Sequence, residues 1–271
     1  MKAEIDRFLQ SGDHDPLMAS WPGRSAVERM RAGWEVLTTA LIEEVRFRAG
    51  RVDTPVPGTI ANGDLAAFAR KKFAPMVRGL FPRIEHQPVL AVLEQSVVFL
   101  TPGSIEGLIR GEGFLSTAWQ LANIYLAGIG AETFDDQMRG VVGMSEGTTC
   151  YISLEYFGVQ DELSDYVVHE AAHVFHNTKR LTIGLAETRK REWLLPIEYR
   201  KRETFAYACE AYSRILEIAK KPADRRALAA TLNEQPLPSD DRVDADEYVA
   251  ILTEAVNRRN GWKSILARCS E

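Results

Sequence analysis

Between Thr148 and Asn177 the periodicity of the chain changes from two to nearly four, and that change limits the folds open to it. In Thr148–Phe157, Cys150, Ile152, Leu154 and Tyr156 alternate with Thr149, Tyr151, Ser153 and Glu155, the pattern of a half-buried strand. Gly158 ends the pattern and Asp161 offers an N-cap. Residues 162–177 then carry the apolar side chains Tyr166, Val167, Val168, Val174 and Phe175 on a helix. Strand followed at once by helix calls for a fold that contains both.

Elsewhere the signals are mostly helical. From Ser25 to about Ala49, Val27, Met30, Trp34, Leu37, Leu41, Ile42 and Val45 recur at three- and four-residue steps. Ser25 with Glu28 three residues on has the form of a capping box. A proline- and glycine-containing connector, Asp53 to Gly63, leads to a second helix from about Asp64 to Leu80, with Pro75 a point of interruption. Leu93 to Thr101 reads as a strand, followed by Pro102-Gly103, a short helix and an apolar helix near 114–128. Pro196 suits the first turn of a long helix reaching about Lys220, and two or three further helices finish the chain. The class expected is α+β, helix-dominated, with a small central sheet. A division into an N-terminal helical region, 1–84, and a core, 85–271, fits this order.

The bulk properties narrow the function classes. A formal net charge of −5 over 271 residues argues against a general nucleic-acid binder, which needs an excess of Lys and Arg to neutralise phosphate. The runs Arg189-Lys190-Arg191 and Arg200-Lys201-Arg202 are local and read as solvated faces. Cys150, Cys209 and Cys269 are odd in number and widely spaced, which suits a reducing compartment and not a disulfide framework. Met1 to Asp15 is charged and has no apolar core of a signal peptide. Gly113–Ala131 is uncharged but contains Ser116, Thr117, Gln120 and Asn123, so it reads as a buried helix and not a membrane span. A soluble cytoplasmic chain is expected, with signal-independent export as the other route.

The chemistry concentrates in His169-Glu170-Ala171-Ala172-His173. On a helix two residues four apart lie about 40° apart and one turn along the axis, so both imidazoles can converge on one cation. Glu170, roughly 60° round from His173, flanks such a cation without ligating it and can hold a water beside it. Zinc suits this set because it accepts imidazole and carboxylate and acidifies a bound water when one position stays open. Three of the five histidines fall between 169 and 176. The bland alternative is a solvated polar helix face.

A strand, then His169-Glu170-x-x-His173, then a downstream helix bearing a carboxylate resembles the zincin metallopeptidases, in their gluzincin branch. The resemblance covers about residues 90–220. No Gly stands three residues after His173 and no His six after, so the metzincin pattern is absent. Arg202-Glu203-Thr204-Phe205-Ala206-Tyr207 is similar to the gluzincin E-x-x-A signature. What the resemblance implies is a zincin-like core in which the strand before the motif, Thr148–Phe157, is the edge strand that pairs with extended substrate. It implies one Zn2+ held by His169, His173 and Glu203, with Glu170 as general base, hydrolysing a peptide or protein substrate.

Glu210, His176, Glu187, Glu192 and Glu198 remain alternatives for the third ligand. Glu210, two turns beyond Glu203, would otherwise accept from a ligand imidazole. Tyr207, Tyr199, Tyr156 and His176 are open as donors to an oxyanion. The rival functions are a zincin-like protein that binds metal or a partner without cutting, and a helical interaction protein in which the motif is accidental.

Overall fold

The computed structural model describes residues 1–53, 57, 60, 65–158, 161–187, 191–234, 237–238 and 240–270. Most of the 53–63 connector, the helix start at Asp64, and Arg189 and Lys190 of the first basic run lie outside the described residues. In chain order the helices are α1 (Lys2–Ser11), α2 (Ala26–Ala49), α3 (Leu65–Leu80), α4 (His86–Ser96), α5 (Ile105–Gly111), α6 (Leu115–Gly128), α7 (Tyr166–Asn177), α8 (Arg202–Ile218), α9 (Pro222–Ala230), α10 (Ala245–Asn257) and α11 (Gly261–Cys269). The strands are β1 (Val97–Leu100), β2 (Gly143–Glu146) and β3 (Thr149–Ser153). The chain is therefore α+β and helix-dominated.

Two compact units can be told apart, each drawn from several segments of the chain. One comprises Met1–Ala61, Phe99–Val142 and Ser153–Gly158, the other Asn62–Val98, Gly143–Ile152 and Val159–Glu271. In the first unit, α2 opens on a cap made by Ser25, with Glu28 reaching back to the residue before it. Ser25 Oγ accepts from the Glu28 N–H at 3.2 Å, and the Glu28 carboxylate accepts from the Arg24 N–H at 2.7 Å. Leu37, Leu41, Ile42 and Val45 are buried on this helix, while Val27 and Met30 at its start stay exposed.

Helix α6 is a core helix. Its one buried amide, Asn123, donates to the Trp119 carbonyl at 3.0 Å and accepts from the Phe134 and Asp135 N–H groups at 2.8 and 3.1 Å. Burial costs little for a polar side chain satisfied in this way. No helix among the described residues is long and apolar enough to cross a membrane.

In the second unit α7 packs against α8, β2, α3 and α4, and α8 also packs against α10 and α11. Every residue from Val167 to His176 is buried, as expected of a helix surrounded by protein. On α8, Ala206, Ala208 and Ala211 are buried, as small residues are on a helix packed on several sides. Cys150, Cys209 and Cys269 are free and buried, as small apolar side chains are.

The sheet corrects one expectation. Its order is β1-β3-β2, so the strand preceding the histidine helix, β3, is central and the edge strand on that side is β2. Strands β2 and β3 pair antiparallel from Gly143↔Ile152 to Glu146↔Thr149. The two-residue connection between them carries Gly147 at φ +56°, a conformation that costs an L side chain and that tight hairpins require.

Three element ends also differ from the sequence pattern. Residues 93–96 complete α4, because Val89, Leu90 and Leu93 are buried at helical steps, and only Val97 begins the strand. Strand β3 stops at Ser153, whose hydroxyl accepts from the Glu155 N–H at 3.1 Å and starts a tighter turn over Leu154–Phe157. Pro196 does not open α8. The bridges Lys179↔Trp193 and Ile197↔Ser270 hold the flanking chain extended, and the helix begins at Arg202.

One glycine fixes a helix contact. A Cβ on Gly79 of α3 would lie 2.1–2.6 Å from the side chain of Trp262, which is itself buried on α11. Gly79→Ala improves helix propensity by roughly 0.5–1 kcal/mol, but the displaced indole is expected to cost about 1–3 kcal/mol. A lower denaturant midpoint with unchanged slope checks the net loss.

Candidate metal centre

Helix α7 starts four residues later than the sequence suggests. Asp161 accepts from the Leu163 N–H at 2.9 Å and makes a local turn. The N-cap is Asp165, whose side chain accepts from the Val168 N–H. Lys72 Nζ, 2.6 Å from Asp165 Oδ2, fixes the capping carboxylate, and Glu217 shares the same ammonium at 3.2 Å.

The motif does not sit on a solvated face. His169, Glu170, His173 and His176 are 7%, 7%, 8% and 6% exposed, so each needs a partner inside the protein. His169 Nε2 and His173 Nε2 point at each other across 3.2 Å. Glu203 Oε2, from the first turn of α8, lies 3.7 Å from the former and 3.5 Å from the latter. Metal–nitrogen bonds of 2.0–2.1 Å place neighbouring tetrahedral ligands about 3.3 Å apart. These three atoms come close to that triangle. His169, His173 and Glu203 are the one group of three such side chains, among the described residues, that could hold a metal ion.

Each of the three is held from behind by a different partner. Glu210 Oε2 lies 3.1 Å from His169 Nδ1, and its Oε1 accepts from the Asp165 N–H at 2.5 Å. His176 Nε2 lies 2.9 Å from His173 Nδ1. Arg242 Nη1 reaches Glu203 Oε1 at 2.9 Å while its Nη2 pairs with Asp240 at 2.5 Å. The ring of Tyr207 stands edge-on to His169, with centroids 4.5 Å apart. Glu170 turns towards β2. The Ser145 hydroxyl is within its hydrogen-bonding reach, and a Cβ on Gly143 would come 3.2 Å from its Cγ.

Of the other acids considered, Glu187 and Glu192 are exposed, and Glu192 pairs with Lys179 at 2.7 Å. Glu198 is likewise outside the group of three. Tyr199 is 78% exposed, and Tyr156 belongs to the other unit. Arg242, Asp240, Asp165, Lys72, Ser145 and Asn177 carry no signal at the sequence level. Each is a polar residue in an ordinary polar or capping context until the packing brings it to the histidines. Among known families, characterised proteins and solved structures, none matches this chain.

Charge follows from the packing. Burial opposes ionisation of His169, but the carboxylates of Glu203 and Glu210 outweigh it and push the imidazole up to about 10. Glu203 is likewise disfavoured by burial, yet His169 and His173 hold its carboxyl well below the usual range. Burial pushes the Glu170 carboxyl up, partly offset by the two histidines. Burial above all, with the Arg202 guanidinium nearby, brings His176 down to about 3, so its ring is neutral. Burial and Glu210 push the Tyr207 phenol up to about 12, so it keeps its proton.

A pH dependence follows. His169 is raised from its ordinary value of 6.5 to about 10, so between those values the metal-free chain carries a proton that a cation must displace. Metal affinity is expected to rise about tenfold per pH unit through that window and to level off above it. Calorimetry near pH 7.5 in buffers of different ionisation enthalpy should show close to one proton released per ion bound. No release would contradict this charge assignment.

Proposed function

We propose that the chain is a zinc-dependent peptidase of the zincin type, with His169, His173 and Glu203 as ligands and Glu170 as general base. The observation that carries this reading is the near-tetrahedral triangle of two imidazole nitrogens and one carboxylate oxygen, with a buried glutamate next to it on the same helix. Zinc bound there supplies a water of pKa near ~7 and polarises a carbonyl.

The chain's own groups do the rest. Glu203 is locked as a carboxylate by its histidine neighbours and by Arg242. Glu170, whose burial favours its protonated form, takes the proton from the water and passes it to the leaving amine nitrogen. Strand β2, at the edge of the sheet and packed on α7, offers the backbone along which an extended peptide adds as a further strand. The substrate class is therefore peptide or protein.

Elemental analysis of the purified chain, followed by incubation with a mixed peptide library with and without a chelator, tests the reading. One zinc per chain and chelator-sensitive cleavage are expected. Stoichiometric metal without cleavage would favour a zincin-like binding protein that does not cut. Absence of stoichiometric metal would remove both readings.

A further inference from the structure

We propose that His176 and Asn177 form an uncharged hydrogen-bond relay that positions His173, so that the motif of this chain extends to H-E-x-x-H-x-x-H-N. The inference rests on the metal-site reading of His169, His173 and Glu203 and adds two residues to it.

The argument is one of donors and acceptors. His173 can present a lone pair at Nε2, towards His169 and Glu203, only if its proton sits on Nδ1. The atom facing that Nδ1, at 2.9 Å, is His176 Nε2, which must then be the acceptor. A neutral His176 accepting at Nε2 carries its own proton on Nδ1, and 3.0 Å from Nδ1 is the amide oxygen of Asn177, an atom that can only accept. Every link has the right polarity, and no link is charged.

The surroundings leave no substitute. His173 and His176 are 8% and 6% exposed, so bulk water does not compete for either ring. Their rings meet edge-on at 83° with centroids 5.1 Å apart, which fixes the plane of His173 as well as its tautomer. His176 also faces away from the triangle, meeting His173 at Nδ1 while His169 and Glu203 gather at Nε2. That geometry makes it a positioning residue and not a fourth ligand.

The two ligand histidines therefore have unlike supports. His169 leans on the carboxylate of Glu210, whereas His173 leans on a neutral imidazole. Glu170, Glu203 and Glu210 already bring three carboxyl groups to this small volume. A fourth behind His173 would add like charge in a buried place, which an imidazole acceptor avoids.

The test measures zinc affinity of the full chain by competition with a chromophoric chelator, beside thermal unfolding of each metal-free form. His176→Phe keeps a ring but no acceptor, and is expected to weaken zinc binding about 10–100-fold. His176→Gln restores a neutral acceptor oxygen and is expected to recover most of that loss. If His176→Phe binds as tightly as wild type, or if Phe and Gln lose equally, the relay is overturned while the metal site stands. If wild type binds no zinc, the site reading falls and the relay with it. Should His176→Phe fail to fold, nitrogen NMR of zinc-loaded wild type decides instead. A resolved coupling between His173 Nδ1 and His176 Nε2 across the shared proton is expected, and its absence overturns the proposal.

Discussion

Glu170→Gln is expected to cut peptide turnover by at least about 10²–10⁴-fold, the usual worth of a positioned proton acceptor, while leaving bound metal and the unfolding midpoint close to wild type. Glutamine has the same shape and can still accept from Ser145, so β2 and α7 keep their contact. Stability is spared for a second reason. Burial already disfavours the Glu170 carboxylate, and an amide in its place removes a buried charge without leaving a partner ion alone. The wild-type rate should also fall as pH drops through the raised pKa of this group, since the acceptor form is the carboxylate. Initial rates on a peptide that wild type cleaves, with zinc content measured on the same samples, check the prediction. Undiminished turnover in the variant would place the proton acceptor elsewhere.

What the sequence shows of this site depends on how local each contact is. His169 and His173 are brought together by one helical turn, and Glu170 is set beside them by the same helix, so their grouping is contained in five residues of chain. Glu203 is thirty residues beyond His173, and its arrival depends on two helices approaching closely. The alanines at 206, 208 and 211 mark a helix sandwiched between neighbours, and all three are buried. Glu210 is equally acidic and on the same helix. Only the packing decides that it faces Nδ1 of His169 and the start of α7 instead of the triangle.

Strand β2 was illegible because Gly143-Met144-Ser145-Glu146 has no β-branched residue and no alternation. It is a strand because β3 pairs with it, and the edge of the sheet moves accordingly. Asp161 and Asp165 look alike as caps, and the difference lies in Lys72 and Glu210, each far away in sequence. Arg242 and Asp240 sit in a polar stretch with no periodicity at all, so nothing local announces the guanidinium on Glu203.

Replacing Glu203 and Glu210 one at a time is expected to separate a ligand from its support. Structural zinc sites bind with about 10–16 kcal/mol over four ligands, so one ligand is worth roughly 3 kcal/mol, about a hundredfold or more in affinity. Glu203→Gln should therefore weaken zinc binding about a hundredfold or more. It also leaves Arg242, 65% exposed, still paired with the Asp240 carboxylate, a change that water readily screens. Folding should survive. Glu210→Gln keeps an acceptor for the His169 N–H but loses the charge behind it, and a supporting contact of that kind costs about 10–100-fold in affinity. The order of zinc affinity expected is wild type, then Glu210→Gln, then Glu203→Gln, read by competition with a chelator of known strength. The reverse order would make Glu210 the ligand, although its two oxygens are turned to the His169 Nδ1 and the Asp165 N–H. Equal affinities would mean that neither carboxylate completes the triangle, and that two imidazoles alone define whatever binds there.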